Sequence, residues 1–280
     1  MAELLALLAA MAFGLGTALQ QRGTMQTDDG DEDPSFLLQI LRKPVWLAGA
    51  LCQLAGWILQ AAALDRGPLV VVQSLTTLSL VLALPFGVWL TGQRLSRNVV
   101  IGAAAVVAGI VLFLSVGSPA GGTSHPSATD WSVACVVTLA VVVLLAGTAR
   151  TRSGAARALL FGSAAGAAFA LQAAVTKQFT ALLGHGVAAL LHSWTVYVLV
   201  ASALVGFVTQ QSALKSGVLA PAIASSNAVT LFGSVVLGIT VFGEQLSHGH
   251  GHLIPAVIGL AAALAGIALL ASAPPPAAIG

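Results

Sequence analysis

Charged side chains are scarce along this chain. Only 7% of its 280 residues are charged, and 58% are hydrophobic, whereas soluble domains carry about 25% charged residues. Such a composition excludes an ordinary water-soluble domain. The formal net charge of +2 is also too small to favour a nucleic-acid partner.

Cysteine and catalytic motifs are equally sparse. Cys52 and Cys135 are the two cysteines and both lie in apolar runs, where they are interpreted as small buried hydrophobic residues. Two cysteines so placed provide neither a disulfide framework nor a zinc site. The sequence has no nucleophile–base–acid arrangement, phosphate-binding loop or zincin motif. We therefore predict that the protein is not an enzyme and uses no cofactor.

Long apolar runs are what the sequence does contain. Runs of about 18 residues or more are long enough to cross a hydrocarbon core, and they predict an all-α polytopic membrane protein. Residues 1–117 form a first half of four spans, 118–130 a linker rich in Gly, Ser, Thr and Pro, 131–273 a second half of five spans, and 274–280 a disordered tail. The predicted spans are 3–21, 45–64, 68–91, 98–116, 131–148, 156–180, 194–214, 218–242 and 253–272.

A pair of helices occurs twice in the sequence. The pattern Gly56-x-x-x-Gln60-x-x-Ala63-Leu64-x-x-Gly67-x-Leu69 recurs as Gly206-x-x-x-Gln210-x-x-Ala213-Leu214-x-x-Gly217-x-Leu219. Gly92-Gln93-Arg94-Leu95-Ser96 recurs as Gly243-Glu244-Gln245-Leu246-Ser247, and the spaced glycines Gly102 and Gly109 recur as Gly259 and Gly266. The order and spacing of these blocks predict an internal duplication, with close helix packing at the spaced glycines.

The basic residues predict the orientation of the spans. Most Lys and Arg fall on one side of the nine-span arrangement, which the positive-inside rule assigns to the cytoplasm. The N-terminus is then outside and the C-terminus cytoplasmic, in a bacterial plasma membrane. Five spans separate the two repeated pairs, so the copies have opposite orientations, as in transporters that hold their substrate where inverted repeats meet.

These motifs resemble the drug/metabolite transporter superfamily, EamA type. The residues that carry the resemblance are Gly243-Glu244-Gln245-Leu246-Ser247 followed by Ile258-Gly259 and Gly266-Ile267, and the first half matches with Gln93 in place of the acid. Pro68-Leu69-Val70 and Leu78-Ser79-Leu80 are also similar to the NIPA-type magnesium-transporter branch. The resemblance implies an inverted-repeat solute carrier. The superfamily usually has ten spans, so the first half is expected to lack one, the outermost.

Uncharged polar side chains inside the spans are the candidate substrate-binding residues. They are Gln20, Gln60, Gln73, Thr77, Gln172, Gln210, Ser226 and Asn227. An unpaired amide is costly in hydrocarbon, so these residues are expected to face the bundle interior. Two interpretations remain open, a substrate cavity and hydrogen bonding between helices, since both need the same placement.

Acidic residues appear only at the ends of spans or in turns. Intramembrane acids are usual in proton relays, and carboxylates are preferred by divalent cations. The distribution of acids therefore disfavours proton antiport and magnesium transport. Lys177 is predicted to extend its ammonium group toward the interface. His248, His250 and His252 form a flexible Gly/His loop in which metal binding stays open, and the acidic run 28–33 lacks the Gly and Glu positions of a calcium loop.

The sequence therefore predicts a transporter of a small organic solute, such as a metabolite, an amino acid or an amphipathic drug, working by alternating access. The alternatives are a NIPA-like magnesium permease and a non-transporting membrane subunit or lipid-carrier partner. Membrane lipid is the expected neighbour, and a homodimer is possible because the missing span leaves a helix-sized groove.

Overall fold

The computed structural model describes residues 1–25, 43–91, 95–117, 119–123, 126–182, 191–214, 216, 219–246 and 250–272. Within them the helices are α1 Ala2–Met25, α2 Pro44–Leu64, α3 Leu69–Thr77, α4 Ser79–Thr91, α5 Arg97–Gly117, α6 Ala128–Arg150, α7 Gly154–Thr180, α8 Trp194–Leu214, α9 Leu219–Thr240 and α10 His250–Ser272. The strands β1 (Ala120–Gly121) and β2 (Glu244–Gln245) pair antiparallel. The acidic run 28–33, Gln93, His248, the side chains of His250 and His252, and the tail 274–280 lie outside the described residues.

The protein is an all-α polytopic membrane protein. Eight helical segments of the described chain are long and apolar enough to cross a membrane, and α10 adds the apolar stretch Ile254–Leu270. One predicted span is interrupted. Within 68–91, the amide of Leu78 bonds to Leu75, only three residues back, and the helix restarts as α4. The predicted span 68–91 thus consists of two helices, which together are long and apolar enough to cross a membrane.

Helices α5 and α10 cross at the repeated glycines, as predicted. A Cβ atom added to Gly102 would lie 3.1 Å from the carbonyl oxygen of Gly266, and one added to Gly109 would lie 2.6 Å from that of Gly259. The repeat equates Gly102 with Gly259 and Gly109 with Gly266. Exchanging the two halves thus converts one contact into the other. This two-fold relation between antiparallel helices is the geometry of inverted repeats.

The repeated Gly56 and Gly206 each pack under a phenylalanine. A Cβ atom on Gly56 would lie 2.6 Å from the ring of Phe13 in α1, and one on Gly206 would lie 2.5 Å from the ring of Phe169 in α7. Helix α1 therefore corresponds to α7. It follows that α6, which packs along α7 and exposes much of its surface, is the span without a counterpart in the first half.

The two halves share an apolar cluster near one end of the bundle. We call this end of the bundle the Glu244 face, because the turn that contains Glu244 lies there. The cluster combines Ala6, Leu64, Leu69 and Val72 of the first half with Trp131, Val175, Leu237 and Phe242 of the second. The start of α1 lies at this end, because a Cβ atom on Gly67 would be 2.6 Å from that of Ala2. The predicted orientation makes this face extracellular.

Candidate functional site

A cavity of about 470 Å³ lies between the two halves. Helices α1 to α4 line one wall and α7 to α9 line the other. Its lining includes seven of the eight predicted site residues: Gln60, Gln73, Thr77, Gln172, Gln210, Ser226 and Asn227. Gln20 is not among the described lining residues. It packs instead against α2, where its side-chain Cγ atom would lie 2.8 Å from a Cβ atom on Gly49.

Three glutamine amides in this cavity have no hydrogen-bond partner among the described residues. Gln60, Gln172 and Gln210 extend from three different helices, α2, α7 and α8. The carbonyl oxygen Oε1 of Gln210 is fully buried and unpaired. An unpaired amide in an apolar interior costs free energy, so these groups are available to bind water or a solute rather than to join helices.

Other polar residues of the wall already have partners. The hydroxyl of Thr76 donates to Oε1 of Gln73 at 3.1 Å, and Asn227 donates its amide to the carbonyl of Ile223 at 2.8 Å. Bonds between helices are few here: Gln53 donates to Thr17 at 3.1 Å, and Thr230 donates to the carbonyl of Gly166 at 3.3 Å. Neither of these two bonds between helices involves one of the eight predicted site residues, whereas the bonds of Gln73 and Asn227 lie within their own helices.

Aromatic side chains complete the wall. Phe13, Trp57 and Phe169 line the cavity together with the amides, and no charged side chain is found among its described lining residues. Two of these aromatics, Phe13 and Phe169, are the ones that pack on the repeated Gly56 and Gly206. The wall therefore offers hydrogen bonds and apolar contact without a fixed charge.

One of the acids expected at span ends or in turns, Glu244, has a buried carboxylate. Glu244 is in a turn of the sequence, but its side chain is 0% exposed. Its oxygens accept hydrogen bonds from the backbone amides of Leu69 and, at 2.9 Å, of Val70. Pro68, which precedes these residues, supplies no side-chain cap, so Glu244 satisfies the first amides of α3 from the other half of the protein.

The prediction that Lys177 extends to the interface is wrong. Its ammonium nitrogen lies 2.7 Å from Oε1 of Glu244, and its side chain is only 16% exposed. The same nitrogen is 4.7 Å from the ring centre of Phe242, and that ring packs edge-on against Trp131 at 5.7 Å. The two charges attract each other strongly because little water screens them at this site.

Sequence reasoning missed the role of Glu244 and Lys177. The repeat did contain a signal, since Glu244 replaces the Gln93 of the first half. A second signal needs the structure: Lys177 follows Phe169 by eight residues, as Gln21 follows Phe13. Both members of the ion pair therefore correspond to glutamines in the other half.

Comparisons with known proteins found one matching family and one relative. The model of the EamA-like transporter family matches residues 33–115. An uncharacterized protein of Corynebacterium glutamicum is 30% identical over 247 residues, which cover 88% of this chain and 86% of that protein. No solved structure matches. Neither match supports the NIPA-type resemblance, which stays a prediction. Together with the inverted repeats, these matches lead to the conclusion that the chain belongs to the EamA-like transporter family.

Proposed function

We propose that the protein carries a small organic solute, neutral or zwitterionic, across the membrane by alternating access. The observation that carries this proposal is the set of three unpaired amides, Gln60, Gln172 and Gln210, in a cavity between inverted repeats. They can donate and accept hydrogen bonds. The nearby aromatic rings favour a solute that also has an apolar part.

The packing of the two halves supports access from the face opposite Glu244. At the Glu244 face, α3 packs against α9 and, less extensively, α7 of the other half, as well as against α1 of its own half. Toward the opposite face its continuation, α4, packs mainly on α1 of its own half. Transport would then require the halves to exchange these two arrangements, which the inverted repeat makes equivalent in geometry.

The test is solute uptake by proteoliposomes containing the purified protein. A panel of amino acids, neutral metabolites and amphipathic amines is screened first for a rise in the unfolding temperature, since a ligand that binds only the folded state stabilises it. Solutes that stabilise the protein are then offered as labelled substrates. We expect saturable uptake above empty liposomes for at least one of them.

Helix α8 supplies a matched pair of variants for this assay. Gln210 lines the cavity, whereas the adjacent Gln211 is exposed on the outside of the bundle. Gln210→Leu should reduce uptake by about tenfold, the effect of removing one or two hydrogen bonds in a binding site, and Gln211→Leu should leave it unchanged. Equal rates in both variants would refute the assignment of the cavity.

The magnesium alternative is tested in the same vesicles with a trapped magnesium dye. If saturable Mg²⁺ flux is observed and falls in the Gln210→Leu variant, the proposed substrate is Mg²⁺ and not an organic solute. A non-transporting subunit would instead show no flux of any solute, and would copurify with an enzyme or a lipid carrier.

A further inference from the structure

We propose that Lys177, Glu244 and the first amides of α3 form a gate that closes the cavity toward the Glu244 face. This inference rests on the proposed function, because a gate has a role only if the cavity opens alternately to the two faces. It assigns transport roles to two residues outside the cavity wall.

The first argument is position. Thr176 lines the cavity and Lys177 is the next residue of α7. Leu69 and Val70, which donate to Glu244, lie one turn of α3 before the cavity residue Gln73. The ion pair and the shared apolar cluster therefore occupy the layer between the cavity and the Glu244 face.

The second argument is connectivity. Glu244 joins four parts of the chain. Its carboxylate connects its own strand β2 with the start of α3 and the end of α7, and its backbone pairs with Gly121 of strand β1. Helix α3 belongs to the first half, whereas α7 and β2 belong to the second. Opening the bundle at this face must separate α3 from the other half, and that separation breaks the bonds to Glu244.

The third argument is the difference between the repeats. The equivalents of Lys177 and Glu244 in the first half are Gln21 and Gln93, which carry no charge. Hydrogen bonds between charged groups are about twice as strong as those between neutral groups. The charged pair at the Glu244 face therefore has no charged counterpart at the equivalent positions of the first half. We infer that the state closed at the Glu244 face is the resting state, which solute binding must overcome.

The gate is tested by the access of a charged, membrane-impermeant thiol reagent to a cysteine in the cavity. Ser226→Cys is the reporter, because Ser226 is buried in the cavity wall and the change is nearly isosteric. Cys52 and Cys135 are replaced by alanine beforehand. The reagent is added to one face at a time in vesicles of known orientation, and the labelling rate is measured by mass spectrometry.

The reporter should be labelled from the opposite face and protected from the Glu244 face. Glu244→Gln and, separately, Lys177→Gln should each raise labelling from the Glu244 face by about tenfold or more, because loss of one partner leaves the other charge buried and uncompensated. The double variant, which leaves no uncompensated charge, should raise labelling less than the sum of the two single variants, since the residues act as one pair. Asp65→Asn is the control, because the Asp65–Arg66 pair on this face is exposed and should not affect access.

Folding is monitored through the opposite face, where the reporter must remain accessible in every variant. If Glu244→Gln does not fold, Lys177→Gln keeps the test valid, since it preserves the bonds from Glu244 to α3. Folded variants that stay protected from the Glu244 face would overturn the gate, even if transport were lost. Increased labelling supports the gate without any identified solute, so failure of the solute screen can be distinguished from failure of this proposal.

Discussion

Substitution of Gly109 by alanine tests the two-fold contact between α5 and α10 on which the inverted repeat depends. The added Cβ atom would lie 2.4 Å from the backbone nitrogen of Ala263, against an ordinary contact distance of at least 3.4 Å. The helices must therefore move apart by about 1 Å, and no side-chain rotation can relieve the contact because the atom it meets belongs to the backbone. Overpacking of this kind costs about 1–3 kcal/mol.

Gly147 provides the control for this substitution. It lies within α6, and a Cβ atom there would meet nothing within 4 Å. In both variants the free energy of unfolding gains about 0.5–1 kcal/mol, because alanine is more favourable than glycine inside a helix. This gain cancels when the two variants are compared. We expect Gly109→Ala to unfold with a free energy about 1–3 kcal/mol below that of Gly147→Ala, measured by denaturant titration in mixed micelles. Equal free energies of unfolding would refute the close approach of the two helices.

Two further predictions concern the gate. In Gly238→Ala the new Cβ atom would lie 2.7 Å from Oε2 of Glu244 and 2.6 Å from a side-chain carbon of Val70, so the carboxylate must move. Labelling of the cavity reporter from the Glu244 face should then rise as in Glu244→Gln, and unchanged protection would contradict the assigned contacts. The double substitution Gln21→Lys and Gln93→Glu should create a second closure at the opposite face, slowing both labelling from that face and solute uptake. Gln93 lies outside the described residues, so this prediction follows from the repeat alone; unchanged access from that face would show that the ion pair cannot be transferred by symmetry.

The general architecture could be predicted from the sequence because a segment must be apolar along its length to be stable in a bilayer. A span needs about 20 apolar residues whatever its neighbours are, so low charge and long apolar runs were enough to identify a polytopic helical protein. The repeated glycines likewise predicted close packing, because a missing side chain limits how near two helices can come. The interruption at Leu78 was not predictable, since Thr76, Thr77 and Gln73 are compatible with either a straight or a broken helix.

The candidate site was predictable in its residue types but not in its contacts. Polar side chains within apolar spans are expected to face inward, and seven of the eight predicted residues surround one cavity, while Gln20 packs against α2 instead. Only the tertiary structure decided which amides remain unpaired.

The sequence by itself determined that this is a duplicated helical membrane protein, because hydropathy and repetition are local properties of the chain. The tertiary structure decided which groups its buried charges contact. Glu244 lies 67 residues from Lys177 and 174 from Val70, and no local pattern indicates that folding brings them together. Such pairings depend on the distance between side chains in space and on their removal from water, and both are fixed only in the folded structure.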